Sequence, residues 1–396
     1  MSEAKLNLQK PPKAPETAGS AGLRREDREP LFHLSKRSSI PFWKSWLIRL
    51  IAIALSLGVC GLVAYALSER MQNGDKSVQD LFQAFMSGSF KTNRMMWQYF
   101  SDTAKLLCIS LALVPAFRMR YWNIGGEGQT LVGVLGAIAV NFYYGKDLPE
   151  GWLLLLMLLA GIICGAVWGL IPSIFRAIWG TNETLFTLMM NYVAQYLSIY
   201  YVLIWAGKNS SMRRLKQGNI STIAKAIGMR TELMVVLIVL LVAVGLYIYL
   251  NYTKHGYEIN VVGESVRTAR YVGINEKKVV IRTAILSGAL CGLAGFLIAA
   301  QDMQMTDQSA GGLGFTGIMV AWLGKNNPLI MILTAAFIML LDHGAAQIST
   351  DLDVPDAFPS VLVGIILFFI IGCEFFIQYQ VHFRSHHERA KGGAIK

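Results

Sequence analysis

Long stretches that are nearly free of charged residues limit what this chain can fold into. They cover 50–67, 151–172, 233–250 and 357–373. Each is close to the length of about 20 apolar residues that an α-helix needs to cross a bilayer. Hydrocarbon offers no hydrogen-bond partners to the backbone, so only helices and closed barrels can span it. Charged residues make up 15% of the chain, against about 25% in soluble domains. The sequence therefore predicts an all-α polytopic membrane protein.

Ten apolar segments account for the whole pattern, and the third and eighth are marginal, so nine is the alternative. They cover about 46–67, 97–117, 123–143, 151–172, 185–205, 231–251, 283–301, 311–323, 327–343 and 357–378. With the N-terminus in the cytosol, Lys and Arg are in excess on the cytosolic side, as the positive-inside rule requires. Ten spans also place the C-terminus in the cytosol.

The chain divides into three predicted regions. Residues 1–45 are polar and rich in Pro, Lys and Arg, which predicts a disordered basic cytosolic tail. Residues 46–380 form the membrane domain, with a long internal loop at 252–282, and residues 381–396 form a second basic tail. The net charge of +11 is concentrated at the two ends and in the internal loop, without an aromatic-interleaved RNA-binding motif. We therefore expect a partnership with membrane lipid and none with nucleic acid.

Enzyme motifs are missing from the sequence. It contains no GxxxxGK[ST], HExxH or GxSxG pattern, which are the usual signs of phosphate, zinc and serine-nucleophile sites. The five cysteines fall inside apolar segments without CxxC spacing and are interpreted as small hydrophobic residues in helix packing. We expect no catalytic residue, no metal site and no cofactor bound by this chain, so any energy for work comes from a partner.

The stretch NIGGEGQ, residues 123–129, places polar groups at the mouth of an apolar segment. Its glycines disfavour a continuous helix, which predicts that the third span begins with a break. Broken backbone at membrane depth is tolerated where protein buries it or water reaches it. Glu127 could accept from backbone N–H groups at the helix start, where the helix dipole favours an anion, or contact a solute directly. Asn123 and Gln129 are candidates for the same path.

A second polar pattern lies in TNETLFTLMMNYVAQYLS. Five neutral polar residues recur at helical spacing on one face: Thr184, Thr187, Asn191, Gln195 and Ser198. Such a stripe suits a path for an uncharged, hydroxyl-rich solute. Hydrogen bonding between helices is the alternative, because it also favours these residue types. Small-residue faces at Gly161, Gly165 and Gly169, and at Gly288 and Gly292, predict close helix packing.

The internal loop contains a short predicted helix from about Ser265 to Val272. Ser265 is a suitable N-cap and Gly273 a natural stop. Val266, Ala269 and Val272 would form an apolar stripe on this helix. A short amphipathic helix of this kind can dock into a groove of a soluble partner or lie on the lipid surface.

Four ordered motifs give the chain a family resemblance. They are NIGGEGQ, GTNETLFTLMMNY, GESVRTARYVGIN followed by LSGALCGLAGF, and AWLGKNNP. Over roughly residues 95–380 the chain resembles the membrane subunits of bacterial ABC importers for simple sugars and nucleosides. The closer likeness is to the nucleoside branch, in which a permease of the NIG-x-EGQ type pairs with a second, shorter permease.

The resemblance implies that residues 46–380 are a permease domain in the inner membrane. Its partners would be a second permease subunit in a heterodimer, an ABC ATPase subunit and an extracytoplasmic substrate-binding lipoprotein. ATP and Mg would be used by the ATPase. The implied substrate is a nucleoside, purine first, or a related simple sugar; pyrimidine nucleosides, a pentose and riboflavin stay open.

The resemblance also implies roles for particular residues of this chain. The ATPase-coupling stretch is matched by Gly263, Glu264, Arg267, Ala269, Arg270, Gly273, Ile274 and Asn275. Signatures beside the translocation path or gate are matched by Asn123, Gly125, Glu127, Gly128, Gln129, Asn182, Glu183 and Asn191. Thr187 and Gln195 join this set through the polar stripe.

The chain departs from the family in two places. Lys105 stands where relatives usually have an apolar, proline-containing start, and we expect it to pair with Asp102 near the outer surface. The long basic N-terminal tail is also unusual. A secondary transporter is the alternative function, although it would normally carry functional ionisable residues inside its spans, whereas Glu127, Glu183 and Lys105 lie near predicted span ends. A membrane enzyme lacks a catalytic constellation, and a receptor would bind solute without uptake.

Overall fold

The computed structural model describes residues 32–36, 41–70, 83, 86–207, 212–306, 308–352 and 357–383. Its helices are α1 (Phe42–Arg70), α2 (Asn93–Arg118), α3 (Gly126–Tyr144), α4 (Glu150–Trp179), α5 (Glu183–Ala206), α6 (Ile220–Ala226), α7 (Thr231–Tyr252), α8 (Lys254–Glu264), α9 (Val266–Tyr271), α10 (Glu276–Asp302), α11 (Leu313–Leu323), α12 (Pro328–Leu352) and α13 (Ala357–Gln378). The strands are β1 (Phe32–Lys36) and β2 (Tyr379–Phe383). Most of the two predicted tails, 1–31 and 384–396, lies outside the described residues.

The two short strands are a departure from the predicted all-α fold. β1 pairs antiparallel with β2, with Phe32 opposite Phe383 and Lys36 opposite Tyr379. β1 lies within the segment 1–45 that was predicted to be disordered. Each strand has only five residues, and the two strands lie far apart in the sequence. The alternation of residues within so short a segment is too weak to predict that they pair. The strands belong to one compact unit, and Leu55–Phe368, which hold the candidate site, form the other.

Every one of the ten predicted apolar segments coincides with a helix, but the helices differ in their capacity to span a membrane. In the described part of the chain, five have the length and composition to cross one: Asn93–Arg118, Glu150–Trp179, Thr231–Tyr252, Glu276–Asp302 and Pro328–Ile348. The predicted eighth span corresponds to α11, which has 11 residues. At 1.5 Å per residue it measures about 16 Å, roughly half the hydrocarbon thickness. α11 is therefore too short to cross alone.

The centre of the helical unit is α10, which packs against α2, α3 and α4. Its closest contact is with α4, where glycines face each other: a Cβ on Gly165 would lie 2.7 Å from the Cα of Gly292, and one on Gly161 would lie 3.1 Å from the Cβ of Phe296. A Cβ on Gly292 would overlap the carbonyl oxygen of Gly161. The prediction that these glycines serve close helix packing is confirmed, because any side chain there would push the two backbones apart.

Lys105 has the partner that the sequence predicted. Its ammonium group lies 3.1 Å from the carboxylate of Asp102, one helical turn earlier on α2. The second carboxylate oxygen of Asp102 lies 3.3 Å from Nε2 of His343 on α12. Lys105 is 8% exposed, and a charge so far removed from water requires an ionic partner. The cluster joins α2 to α12.

Candidate functional site

The stretch 123–129, called here the signature loop, begins where α2 has ended and before α3 starts. Residues 121–124 are not helical, and α3 begins at Gly126 with Gly125 as its N-cap. The predicted break is therefore present only up to Gly125, because Gly126 and Gly128 lie inside the continuous helix α3. Before the loop, Arg120 adopts a positive φ of 58°, which reverses the chain direction after α2.

Two buried amide side chains of the signature loop form hydrogen bonds that fix its conformation. Asn123 and Gln129 are 1% and 2% exposed. The Asn123 Oδ1 accepts from the backbone nitrogen of Gly125 at 3.0 Å, and its Nδ2 donates to Ser287 Oγ on α10 at 3.1 Å. The two amides also bond to each other at 3.3 Å. Their polar groups are therefore satisfied by protein atoms, and Ser287 is a member of this network that the sequence did not indicate.

α5 supplies a third anchor through Asn191 and Thr187. The Asn191 Nδ2 donates to the carbonyl of Ile124 at 2.9 Å, and its Oδ1 accepts from the backbone nitrogen of Gly128 at 2.9 Å. Thr187 Oγ1 accepts from the backbone nitrogen of Ile124 at 3.1 Å. A Cβ on Gly128 would lie 2.8 Å from the Asn191 oxygen. The glycine thus allows the side chain of Asn191 to reach the loop backbone.

The Glu127 carboxylate binds the N-terminal end of a neighbouring helix, α11. One carboxylate oxygen accepts from the backbone nitrogen of Gly312 at 2.9 Å and the other from that of Gly314 at 2.7 Å. Both donors lie at the N-terminus of α11, where unpaired N–H groups and the helix dipole favour an anion. Glu127 therefore accepts from N–H groups at a helix start, as predicted. The helix is α11 rather than α3, because the side chain points across to the neighbouring helix.

The second signature has local roles at the start of α5. Asn182 Oδ1 accepts from the backbone nitrogen of Leu185 at 3.2 Å and so caps the helix. Glu183 lies 3.3 Å from Arg176, at the end of α4. Gln195 differs from the other path candidates, because within the described part of the chain its half-buried side chain makes no hydrogen bond.

The polar stripe of α5 faces the interior of the protein. Thr187, Asn191 and Ser198 are 1%, 5% and 0% exposed. The first two bind the signature loop, and the Ser198 hydroxyl donates to the carbonyl of Ala194 at 2.8 Å. Hydrogen bonding between helices, the alternative interpretation of the stripe, is approached by Thr187 and Asn191, which bond to the segment at the start of α3, whereas Ser198 bonds within α5. Gln195 lies at the edge of the stripe.

The stretch 263–275, called here the coupling segment, folds as the sequence predicted. Ser265 caps α9 by accepting from the backbone nitrogen of Thr268 at 3.2 Å. Gly273 has a φ of +82° and ends the helix. Its nitrogen donates to Arg270 O at 3.0 Å, and Ile274 N donates to Ala269 O at 2.9 Å, which is the Schellman pattern. Asn275 then caps α10 by accepting from Lys278 N at 3.3 Å.

The coupling segment lies directly on the end of α2. A Cβ on Gly263 would overlap the carbonyl oxygen of Arg118 and lie 3.2 Å from the Cα of Met119. Only a glycine permits this approach of the two backbones. The segment therefore contacts the residues that lead into the signature loop.

The outer surface of the coupling segment is not covered by the described part of the chain. Glu264, Arg267 and Arg270 are exposed, and Arg270 is paired with Glu276. Of the predicted apolar stripe only Ala269 is buried, at 0% exposure, whereas Val266 and Val272 are 42% and 57% exposed. The two valines of the stripe are therefore left uncovered by the described part of the chain, and docking of the stripe on a partner or on lipid stays a prediction. Tyr271 adds a side chain that is 94% exposed.

A cavity of about 650 Å³ lies between the coupling segment and the approach to the signature loop. Its lining includes Arg120, Tyr121, Arg176, Glu183, Glu264 and Arg270. Burial raises the pKa of the Tyr121 phenol, so this group stays neutral. The cavity is thus lined by the turn after α2, the end of α4, the start of α5 and the coupling segment.

Comparisons with known proteins show what the chain is similar to. The chain is 27% identical over 359 residues to the guanosine ABC transporter permease protein NupP of Bacillus subtilis, which covers 87% of this chain and 97% of the relative. It is 29% identical over 346 residues to the nucleoside ABC transporter permease protein NupB of Lactococcus lactis, covering 84% and 92%. It is 27% identical over 363 residues to the glucose ABC transporter permease protein TsgB13 of Haloferax volcanii, covering 88% and 93%.

No solved structure matches the chain. The model of one family, described as the branched-chain amino acid transport system / permease component, matches residues 95–371. That range contains both the signature loop and the coupling segment. With its apolar helices and its relatives among ABC transporter permeases, the chain belongs to this family of membrane-embedded transport subunits.

Proposed function

We propose that this protein is the membrane-spanning subunit of an ATP-driven, binding-protein-dependent importer for a nucleoside. In this proposal the chain forms part of the translocation path, both termini face the cytosol, and a separate ATPase uses ATP and Mg. Of the three relatives named above, two carry nucleoside or guanosine in their names and one carries glucose. We place nucleosides first, purines foremost, and simple sugars second.

The contact between Gly263 and Arg118 carries the proposal. It lets the coupling segment press on the end of α2 with no side chain between the two backbones. From Arg118 the chain leads within five residues into the signature loop, which is bonded to α5, α10 and α11. A displacement of the coupling segment is therefore passed to several helices at once.

The exposed surface of the coupling segment supports contact with an ATPase. It combines the cations Arg267 and Arg270 with the apolar Val266, Tyr271 and Val272. Such a surface fits a groove that has apolar walls and an acidic rim. Closure of two ATPases on ATP binding would move the segment and shift the path between outward and inward openings, which differ in their affinity for solute.

Charge reversal on the coupling segment tests this function. The change Arg267→Glu with Arg270→Glu should abolish uptake of guanosine by the complete importer in proteoliposomes, while solute binding by the binding protein stays unchanged. Lys254→Glu is the matched control, because Lys254 is an exposed base on the same internal loop outside the coupling segment. Uptake that survives the double reversal would contradict the coupling role.

A secondary transporter is the second candidate, and the buried cluster of Asp102, Lys105 and His343 is the observation that favours it. Ionisable residues inside a membrane bundle commonly mark proton or ion relays. Uptake driven by a proton or sodium gradient in vesicles without ATPase would support this function. Uptake that requires ATP and ignores both gradients would exclude it.

A further inference from the structure

The exposed face of α5 carries a row of tyrosines. Tyr192, Tyr196 and Tyr200 are 52%, 70% and 58% exposed. Their spacing of four residues places them one above the other on the helix surface. The opposite face of α5 is occupied by the signature loop, through Thr187 and Asn191. We call these three residues the tyrosine row.

The same face of α5 also exposes Leu185, Met189 and Leu203. Other exposed helix faces differ in where their tyrosines lie, since those of α7, Tyr247 and Tyr252, are toward its C-terminal end. The exposed residues of α4 include Leu155, Leu159, Ile163 and Val167, and those of α7 include Leu237, Leu241, Val244 and Ile248. These are the aliphatic residues that lipid tails solvate best. Exposed aromatics on α4 lie at its two ends, at Trp152 and Trp179, as in the aromatic belts of membrane helices.

Tyr196 does not fit an aromatic belt. It lies at the middle of α5, which runs from Glu183 to Ala206, and is the most exposed member of the row. A phenol in hydrocarbon loses its hydrogen bonds to water and gains none in return. Among the described residues no partner bonds to the Tyr196 hydroxyl. At Tyr196 the face therefore favours contact with water or a polar ligand over contact with lipid, although Leu185, Met189 and Leu203 are exposed on the same side.

The chemistry of this face indicates the kind of ligand. Apart from Glu183 at its first residue, α5 has no charged residue, so the face suits a neutral solute. Residues four apart on a helix are separated by about 6 Å along its axis. This distance is close to twice the thickness of an aromatic ring. A flat ring can thus contact one tyrosine and move to the next. Gln195, whose amide makes no hydrogen bond within the described chain, lies beside Tyr192 and Tyr196.

We infer that the tyrosine row and Gln195 line the solute path and select solutes that carry a planar heterocyclic base. The base stacks on the tyrosine rings, and the Gln195 amide donates to or accepts from its polar edge. This inference rests on the proposed function, since it names the part of the nucleoside that the permease recognises. A simple sugar offers no such planar face and gains less from the row.

Cysteine labelling tests whether this face meets water, and it does not depend on knowing the solute. The five native cysteines are first replaced in the complete importer. Tyr196→Cys and Tyr200→Cys should then react with a charged, membrane-impermeant methanethiosulfonate more than about tenfold faster than Leu241→Cys, because only a hydrated thiol forms the thiolate. Leu241 is the matched control, being 74% exposed on α7. Equal, slow labelling at all three positions would overturn the inference.

Transport measurements test the ligand class. Tyr196→Leu should raise the half-saturating concentration for adenosine and uridine by about 5- to 100-fold, as expected for loss of one stacking contact, and change that for ribose by less than about twofold. Tyr196→Phe keeps the ring and should stay within about threefold of the unsubstituted protein. Adenosine uptake that is insensitive to Tyr196→Leu, or ribose uptake that falls equally, would overturn the ligand class.

Failure of the proposed function gives a different result. If the unsubstituted importer takes up none of guanosine, adenosine, uridine and ribose, the nucleoside function and the ligand class are both overturned. The labelling experiment still decides in that case whether the tyrosine row faces water.

Discussion

The carboxylate of Glu127 and the backbone nitrogen of Gly314 lie 2.7 Å apart, although 187 positions separate them in the sequence. A Cβ on Gly314 would lie 2.8 Å from the Cβ of Glu127 and would overlap its backbone nitrogen. The glycine-rich start of α11 and the glycine-rich signature loop thus fit each other. The start of α11 provides the N–H donors and the signature loop provides the anion, so the two segments bind each other directly.

Neutralising Glu127 should weaken this contact between the signature loop and the N-terminus of α11. Glu127→Gln retains one acceptor oxygen but loses the charge that favours the α11 N-terminus, and Glu127→Ala loses both acceptors. We expect a loss of about 1–3 kcal/mol for the alanine variant and a smaller loss for glutamine. Thermal unfolding in detergent measures the order. Equal stability of all three proteins would contradict the capping role.

Asn191 and Gln195 should behave differently although both belong to the polar stripe. Asn191→Leu removes the two bonds to Ile124 and Gly128 and leaves buried backbone groups unpaired, so it should lower stability by about 1–3 kcal/mol. Gln195→Leu breaks no bond in the described chain and should leave stability unchanged while altering uptake. The paired variants are compared by thermal unfolding and by guanosine uptake. A stability loss for Gln195→Leu as large as that for Asn191→Leu would contradict the assignment of a structural role to Asn191 and a solute-contacting role to Gln195.

The glycine contact between α4 and α10 should tolerate no side chain. Gly165→Val places a branched side chain where a Cβ alone would lie 2.7 Å from the Cα of Gly292. We expect separation of the helices and loss of folded protein on size-exclusion chromatography. Gly245→Val on α7 is the matched control, since a Cβ at Gly245 meets nothing within 4 Å. Normal folding of Gly165→Val would refute the packing role.

Gly263→Ala should impair coupling between the permease and the ATPase. The added methyl group overlaps the carbonyl of Arg118, so the coupling segment must move away from α2. We expect solute-stimulated ATP hydrolysis of the importer to fall by about tenfold or more, with the binding protein's affinity intact. Gly151→Ala serves as control, because a Cβ there meets nothing within 4 Å. Full stimulation in Gly263→Ala would contradict direct contact as the route of coupling.

The Asp102–Lys105 pair should show strong coupling in a double-mutant cycle. Lys105→Met alone leaves Asp102 with His343 as its remaining partner, and Asp102→Asn alone leaves a buried ammonium group. Each single change should cost about 3–5 kcal/mol, and the double variant should cost less than their sum. Thermal unfolding of the four proteins gives the coupling energy. Additive losses would mean that the pair contributes no mutual stabilisation.

Two helices, α6 and α8, lie between the predicted spans and were not predicted. The sequence by itself determined the ten apolar helices, the non-helical start of NIGGEGQ and the caps of α9. These features depend on the period of apolar residues and on residues within one helical turn, such as Ser265 with Thr268 or Gly273 with Arg270. Local chemistry is sufficient for them. The four motifs that resemble an ABC permease could be recognised for the same reason, because each is a run of consecutive residues.

The tertiary structure alone decided which groups meet. Asn191 bonds to the backbone of Gly128, 63 positions away, and Glu127 to that of Gly314. The same helical period placed Thr187 and Asn191 on one stripe of α5, but it does not say whether that stripe faces a path or a neighbouring loop. That choice depends on how helices pack, and packing is set by long-range contacts such as Gly165 on Gly292. The tyrosine row is exposed because the polar stripe on the other face of α5 is occupied.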